Sequence, residues 1–394
     1  MTDPASQAAT GESGPPTARE CVLKVLHRQT PPRVVFAPNY WQWFAHYRQH
    51  GLLPPELQDC PSQLALIRHL GLDVFSRNIY CSQAETWFGG LATETWDGVE
   101  VEVKRHTDGG DTVIEKVYHT RRGRLRERLR YLFAESTLVQ EEYLFKDFVG
   151  EMDAFRELLR GRRWRFDREL YSRWQGEVGE SGLVVAGELF SPLKLLHFAA
   201  GADQAVFLLQ DFPDQCRELL AMHEAAQLDL VDQMLGAGVP AMMSMDNLDS
   251  MFHPPHYVER WSASYYEQAA RRCRERGSAF FIHACGRQKA VLPLIASLGV
   301  DGLEGVAYPP LGDTPLEEAM RLAGDRLIIS GGISAMETER FTTPDEVRRC
   351  VEALLIRMQP YRHRFILSAS CNTSIRTPWR VIEWFRDAWR EFGS

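Results

Sequence analysis

The 394-residue sequence has no uncharged apolar run near the roughly 20 residues that a membrane-spanning helix needs. It also has no excess of basic residues, since 45 Lys and Arg stand against 53 Asp and Glu, for a formal net charge of -8. A protein devoted to nucleic acid or to an anionic membrane surface carries the opposite balance, because it must neutralise phosphates. We therefore expect neither nucleic acid nor membrane as a partner, and small molecules or other proteins instead.

A secretory signal and a disulfide framework are also missing. Met1–Glu20 lacks the basic start and apolar centre of such a signal, so a cytoplasmic location is predicted. The eight cysteines lie far apart, unlike the dense frameworks of small secreted domains, and we expect reduced thiols with some bound to metal. Residues 1–20, rich in Ser, Thr, Gly, Pro and Ala, are predicted to form a flexible tail before a single domain over residues 21–394.

Short apolar runs recur along the rest of the chain, and most precede a segment with helical spacing of apolar residues. The eight runs are RVVFAP, DVFSRN, LVVAGE, AMMSMDN, AFFIHAC, GLEGVAY, RLIISGG and RFILSAS, beginning at residues 33, 73, 183, 241, 279, 302, 326 and 364. Helices are predicted between the later runs at 214–235, 258–276, 290–298, 315–322 and 344–358. Strands that are apolar throughout and alternate with helices indicate a parallel sheet covered on its outside.

Eight such units predict an α/β fold, the closed (β/α)8 barrel. The alternative is an open doubly wound sheet, but the phosphate-binding GxGxxG turn that would favour it is absent after the first run. Between the second and third runs, VEVEVKRHTDGGDTVIEKVYHT alternates on both sides of DGGD and predicts a β-hairpin. The arginine-rich HTRRGRLRERLR that follows is predicted to be helical. Residues from about 95 to 180 are expected to be an insertion that decorates the barrel.

Metal-capable side chains stand at the ends of two predicted strands. His283 and Cys285 are two residues apart at the end of the fifth run, so in a strand they project from the same face, and Cys371 follows the eighth run. The ends of barrel strands form the active-site mouth. Three such ligands match a catalytic zinc site that keeps one coordination position open. The alternative is a hydrogen-bonded core histidine and two small buried thiols.

Four stretches resemble a known family. FFIHACGRQKAVLPLIASLGVDGLEGV resembles the segment around the fifth strand of the uroporphyrinogen decarboxylase (URO-D) superfamily, in the H-x-C-G form of its zinc-dependent methyltransferase branch. The other three are similar to the fourth-strand Asp with its helix, to the seventh strand, and to the last strand with its Cys and Thr-Pro helix. They read MSMDNLDSMFHPPHYVERWSASYYEQAARRC, LIISGGIS and FILSASCNTSIRTPWRVIEWF. The likeness covers about residues 241–385 and extends more weakly back to Arg33.

The resemblance implies a URO-D-type barrel in which His283, Cys285 and Cys371 hold Zn²⁺. The branch includes the methylcobamide:coenzyme M methyltransferases. It implies transfer of a methyl group between a corrinoid such as cobalamin, free or carried by a separate protein, and a thiol bound at the zinc. Zinc deprotonates a coordinated thiol near neutral pH and so makes its sulfur a good nucleophile.

One family feature is missing. The decarboxylases carry an arginine-rich MRQAGR stretch after the first strand, where this chain has APNYWQWFAHYRQHG, and Arg48 alone cannot replace it. Decarboxylation of a tetrapyrrole or small acid without metal is therefore disfavoured and is kept as the second hypothesis. A non-catalytic corrinoid-binding or partner-docking barrel is the third.

Two carboxylates at the predicted mouth are candidates for catalytic support. Glu304, which lies in the sixth run, is a candidate fourth zinc ligand that substrate would displace, or else an ordinary ion-paired carboxylate. Asp246, near the end of the fourth run, is a candidate to orient a ligand histidine or to accept a hydrogen bond from substrate, or else a helix N-cap.

The aromatic run NYWQWFAHY follows the first predicted strand. Its rings are candidates to pack on a corrin face or to line a thiol pocket, and the alternative is that they form helix core. The residues considered for binding substrate or cofactor are Asn39, Tyr40, Trp41, Trp43 and His46.

Two further features carry weaker hypotheses. The arginines of HTRRGRLRERLR and LRGRRWRFDR form either a solvated face with compensating acids or a docking surface for a corrinoid protein or an anion. The glycines of SGGIS are considered as a phosphate cradle.

Overall fold

The computed structural model describes residues 16–80 and 88–394. Its strands are β1 Val35–Phe36, β2 Val74–Ser76, β3 Ala92–Trp96, β4 Glu100–Asp108, β5 Asp111–Thr120, β6 Gly123–Leu132, β7 Thr137–Glu142, β8 Arg162–Phe166, β9 Gly182–Val184, β10 Ala186–Leu189, β11 Ala241–Ser244, β12 Ala279–His283, β13 Gly302–Val306, β14 Ile328–Ile333 and β15 Phe365–Ala369. Its α-helices are α1 Ala18–Leu26, α2 Trp41–Gln49, α3 Gln63–Leu70, α4 Phe148–Gly161, α5 Arg168–Val178, α6 Pro192–Ala200, α7 Ala202–Asp211, α8 Pro213–Gly236, α9 Pro255–Trp261, α10 Ala263–Glu275, α11 Leu292–Ser297, α12 Leu316–Leu322, α13 Ala335–Thr338, α14 Pro344–Met358 and α15 Trp379–Phe392.

Parallel strands close into the predicted (β/α)8 barrel. Seven of them are hydrogen-bonded in the order β1-β15-β14-β13-β12-β11-β10, and β2 pairs with β9. Only Val185 separates β9 from β10, so these two form one barrel strand. Asp73 joins β1 to β2, because its N–H donates to the Phe36 carbonyl at 3.0 Å and its carboxylate accepts from the Phe36 N–H at 2.9 Å. The barrel fold predicted from the eight apolar runs is confirmed.

Apolar side chains fill the barrel interior, and α1 covers its N-terminal end. Phe75 of β2 and Phe281 of β12 meet in the interior, with ring centroids 5.1 Å apart and ring planes tilted by 60°. The α1 residues Cys21, Val22 and Val25 belong to the same buried cluster. Because this end is closed by a helix, the open end is the C-terminal edge of the strands, where barrel enzymes carry their active sites.

Helix α1 begins inside the predicted tail. The Thr17 hydroxyl accepts from the Glu20 N–H at 3.2 Å, and the Glu20 carboxylate accepts from the Thr17 N–H at 2.9 Å, which is a capping box. The first helix therefore begins before the predicted boundary at residue 21. The first fifteen residues of that tail, and Cys81, lie outside the described residues.

An antiparallel sheet occupies the insertion between the second and third barrel strands. Strands β4 to β7 are joined in sequence, and the predicted hairpin is β4–β5, with Gly109 and Gly110 at positive φ in its turn. The arginine-rich stretch after it is strand β6, so the helix predicted there is wrong. Its buried residues alternate at Leu125, Glu127, Leu129 and Tyr131, and Leu125 and Leu129 also fit helical spacing, which explains the error.

The arginines of the insertion are compensated by acids, as the solvated-face interpretation expects. Arg126 lies 2.7 Å from Glu142 across β6 and β7, and Arg128 lies 2.9 Å from Glu141. Arg162 of β8 is ion-paired with Glu94 of β3. The Arg126 and Arg128 pairs lie on the exposed side of β6, where each contributes little to stability, whereas Arg162 and Glu94 are partly buried.

Two other local predictions need correction. The segment predicted as one helix over 258–276 is two, α9 and α10, which are separated at Ser262. The glycines of SGGIS lie within β14, whose residues are paired with β15, so they form no phosphate-binding loop. Among residues 16–80 and 88–394, no helix is both long and apolar enough to cross a bilayer.

Candidate metal centre

The three predicted metal ligands meet at the open end of the barrel. His283 is the last residue of β12, Cys285 follows two residues later, and Cys371 lies two residues beyond the end of β15. One ligand atom from each lies within 4.8 Å of the others. Cys371 Sγ and His283 Nε2 are 3.6 Å apart. This group is the one set of three or more His, Cys, Asp or Glu residues in the described chain that could hold a metal ion.

A glycine lets the strand ends approach one another. Gly305 of β13 has φ +99°, and a Cβ there would lie 2.1 Å from the Ala284 carbonyl oxygen and 3.0 Å from that of Ser370. Those two carbonyls flank Cys285 and Cys371 in sequence. A side chain at residue 305 would therefore force apart the segments that carry the two thiols.

Glu304 lies behind His283 and orients it. The two residues are paired across β12 and β13, and the Glu304 carboxylate contacts His283 Nδ1. Burial lowers the pKa of His283, but the Glu304 carboxylate more than offsets this, and the pKa is raised to about 9. Because Nδ1 faces Glu304, Nε2 is the nitrogen directed at Cys371. This arrangement is the carboxylate–histidine pairing that supports metal-ligating imidazoles.

The two thiols are coupled to each other. A hydrogen bond with the Cys371 thiol lowers the pKa of Cys285, against the effect of burial. The same hydrogen bond and burial raise the pKa of Cys371. The pair therefore ionises first at Cys285.

The donor set and its spacing fit zinc. Tetrahedral zinc has bonds of about 2.0–2.1 Å to nitrogen and 2.3 Å to sulfur, which place two such ligand atoms about 3.6 Å apart. The separation between Cys371 Sγ and His283 Nε2 has this value. One imidazole and two thiols are ligands of the softness that zinc favours, and three protein ligands leave the fourth position free.

The two candidate carboxylates lie outside the ligand group. Glu304 contacts His283 Nδ1, the nitrogen that faces away from Cys371, and is not a member of the ligand group. Asp246 does not contact His283. Its carboxylate accepts from the Ser191 N–H at 2.7 Å and from the Tyr266 hydroxyl at 2.9 Å, so it connects the ends of the third and fourth barrel strands to α10.

The aromatic run is mostly core rather than pocket wall. Tyr40 and Trp43 are 3% and 0% exposed, and Trp43 stacks on Tyr47 with centroids 4.0 Å apart. Trp41 packs between the barrel and the insertion sheet, beside Leu129 and Tyr131. Helix core was the alternative that the sequence left open for this run. A corrin-facing role for these rings is therefore not supported.

The polar members of the run differ from each other. The Asn39 amide donates to the Asn372 side chain at 2.7 Å, one residue from Cys371, so Asn39 does lie at the mouth. His46 Nδ1 instead lies 2.8 Å from the Ser136 hydroxyl of the insertion, away from the ligand group.

Sequence reasoning missed two cations near the ligands. Arg77 directly follows β2, and its Nε lies 3.9 Å from Glu304 Oε2. Lys194 is in the first turn of α6. Burial lowers the pKa of Lys194, against the charges of Asp246 and Cys285. Both residues follow the end of a barrel strand, which is the signal that revealed the cysteines and would have revealed these.

Comparison with known proteins agrees with this architecture. A methyltransferase from Methanosarcina mazei superposes with a TM-score of 0.62 over 96% of this chain and 100% of its own, at 16% identity. A putative vitamin-B12-independent methionine synthase from Listeria monocytogenes matches over 57% of this chain and 68% of its own, at 14% identity and a TM-score of 0.38, too low for further argument. Comparison with curated proteins gave no significant match. The family model described as uroporphyrinogen decarboxylase (URO-D) matches residues 168–392, more than half of the chain, and the chain belongs to this family.

Proposed function

We propose that this protein is a zinc-dependent methyltransferase that moves a methyl group between a corrinoid and a small thiol. The observation that carries the proposal is the convergence of His283, Cys285 and Cys371 from two barrel strands at the open end. Membership of the URO-D family and the shared fold with a methyltransferase support it. Metal-free decarboxylation has no use for a buried group of this kind.

Each residue of the site has a defined task. His283, Cys285 and Cys371 would hold Zn²⁺, which supplies a positive charge that keeps a substrate sulfur deprotonated at neutral pH. Glu304 fixes the direction of the His283 ring. The buried walls at the strand ends exclude water, so that the thiolate loses little nucleophilicity to hydration.

The reaction balances without any further reagent. The thiol proton is released to solvent when the sulfur binds as thiolate. A sulfur lone pair then forms the new sulfur–carbon bond as the cobalt–carbon bond breaks, with the electron pair of that bond staying on the corrinoid. The open end of the barrel would hold the two reactants close together, and this proximity would lower the activation barrier. A corrinoid-carrying protein is the proposed partner if the corrinoid does not arrive free.

The test combines metal analysis with a defined assay. The purified protein is expected to hold zinc in stoichiometric amount and to demethylate methylcobalamin with at least one thiol of a panel, with tetrahydrofolate as a non-thiol acceptor. Cys371→Ala should abolish turnover. Full turnover by that variant would refute the zinc mechanism. If the purified protein holds no zinc, the second hypothesis, decarboxylation without metal, is favoured. If it holds zinc but is inactive with every thiol, the third hypothesis, a non-catalytic docking barrel, is favoured.

A further inference from the structure

Arg77 is a buried cation beside the ligand group. The residue is 6% exposed, and its Nε, 3.9 Å from the Glu304 carboxylate, has no hydrogen-bond acceptor in the described part of the chain. Buried polar groups are nearly always hydrogen-bonded, because leaving a donor unpaired is costly. A buried guanidinium with an unpaired Nε at the mouth of the candidate site indicates a role in that site beyond its contact with Glu304.

The third barrel strand is built to admit this side chain. A Cβ on Gly187 of β10 would lie 2.6 Å from Arg77 Cβ and 3.4 Å from its Cγ and Cδ. The aliphatic part of the Arg77 side chain therefore packs directly on β10 at Gly187, which has no side chain. Any larger residue at 187 would push the guanidinium away from Glu304.

Charge balance shows what Arg77 does in the loaded site. A divalent ion balances the thiolates of Cys285 and Cys371, and His283 is then neutral, which leaves the buried Glu304 carboxylate to be balanced by Arg77. Lys194, Asp246 and Asp249 also lie near the ligand group, and a substitution of Arg77 leaves these three residues unchanged. Without Arg77, an incoming thiolate would therefore meet a site that is one charge unit more negative, in a poorly screened interior.

We propose that Arg77, seated against Gly187, is a positioning residue whose charge allows the substrate thiolate to bind, so that it controls the affinity for thiol and not the retention of metal. This inference rests on the proposed function. It concerns residues of the second and third barrel strands that lie outside the metal ligands themselves.

The experiment uses the full chain loaded with Co²⁺, whose absorption reports thiolate ligands, and titrates it with 2-mercaptoethanol. Arg77→Gln is expected to keep its Co²⁺ but to weaken thiol binding by at least about tenfold. Arg77→Lys should restore part of the affinity, and Gly187→Ala should weaken binding by displacing the guanidinium. Arg364→Gln is the matched control, because Arg364 is 3% exposed but is bonded to the Leu327 and Met320 carbonyls.

The outcomes separate this inference from the proposed function. Co²⁺ uptake with unchanged thiol affinity in Arg77→Gln would overturn the inference and leave the proposed function standing. Equal weakening in Arg77→Lys and Arg77→Gln would overturn it too, since shape rather than charge would then matter. Weakening in Arg364→Gln to the same degree would reduce the effect to lost stability. Absence of metal uptake by the wild-type protein would instead defeat the proposed function itself.

Discussion

Glu188 gives the sharpest prediction about stability. This β10 residue is fully buried, and its Oε1 accepts from the Leu91 N–H at 2.9 Å and the Tyr80 hydroxyl at 3.1 Å, while Oε2 has no partner among the described residues. Burial, only partly offset by these hydrogen bonds, raises the pKa of Glu188 from 4.5 to about 7. A carboxyl whose pKa is higher in the folded protein stabilises it fully below the unfolded pKa and loses that contribution as pH rises through the folded pKa.

The magnitude follows from the pKa difference. As pH rises, Glu188 ionises in the unfolded chain before it ionises in the folded protein. This difference lowers the free energy of unfolding by about 3 kcal/mol in all, mainly between pH 5 and pH 8. Glu188→Gln imitates the protonated acid and should remove this loss. The free energy of unfolding of the variant minus that of wild type, measured by urea unfolding, should therefore be about 2–3 kcal/mol larger at pH 8 than at pH 5. Glu259→Gln, at an exposed position, is the control. A stability difference between Glu188→Gln and wild type that stays the same at both pH values would refute the reasoning.

Three further predictions concern the metal centre and the insertion. Cys285→Ser and His283→Ala should each lose zinc and turnover together while the circular dichroism spectrum is kept, and its collapse would indicate a structural metal. Glu304→Gln should lower zinc affinity about 10- to 100-fold in a chelator competition, since it disturbs the orientation of His283, and unchanged affinity would show that this contact is dispensable. Trp41→Ala should destabilise the protein by about 3–5 kcal/mol and expose the insertion to proteolysis, and normal protease resistance would contradict its anchoring role.

The parts of the fold that could be predicted from sequence are those in which the spacing of apolar residues fits one type of secondary structure only. The runs of the barrel strands are short and apolar throughout, as a parallel sheet buried on both faces requires, although they did not by themselves distinguish a closed barrel from an open doubly wound sheet. The β6 stretch allows two interpretations, since Leu125 and Leu129 suit a helix and a strand equally and arginine favours helices. Pairing with β5 and β7 decides the matter, and that pairing is not local.

The same distinction applies to the site. The rule that parallel strands end at one edge was enough to place Cys371 beside His283, 88 residues away. It did not give the direction in which each side chain points once it is there. Glu304 was correctly placed near the ligands, but the sequence could not show that its carboxylate would meet the imidazole from behind rather than the metal position.

The register of the barrel supplies what strand ends alone do not. His283 and Glu304 are direct partners across β12 and β13, so their side chains leave the sheet side by side, and a carboxylate beside an imidazole binds its nearer nitrogen. This leaves the farther nitrogen for the thiols. Arg77 then follows from Glu304, because a buried carboxylate needs a counter-charge, and the space above Gly187 is where the neighbouring strand can provide one. The position of Arg77 thus depends on Glu304, and that of Glu304 on His283. The metal ligands can be recognised from the sequence pattern, whereas the orienting carboxylate and its counter-charge can be recognised only from the packing.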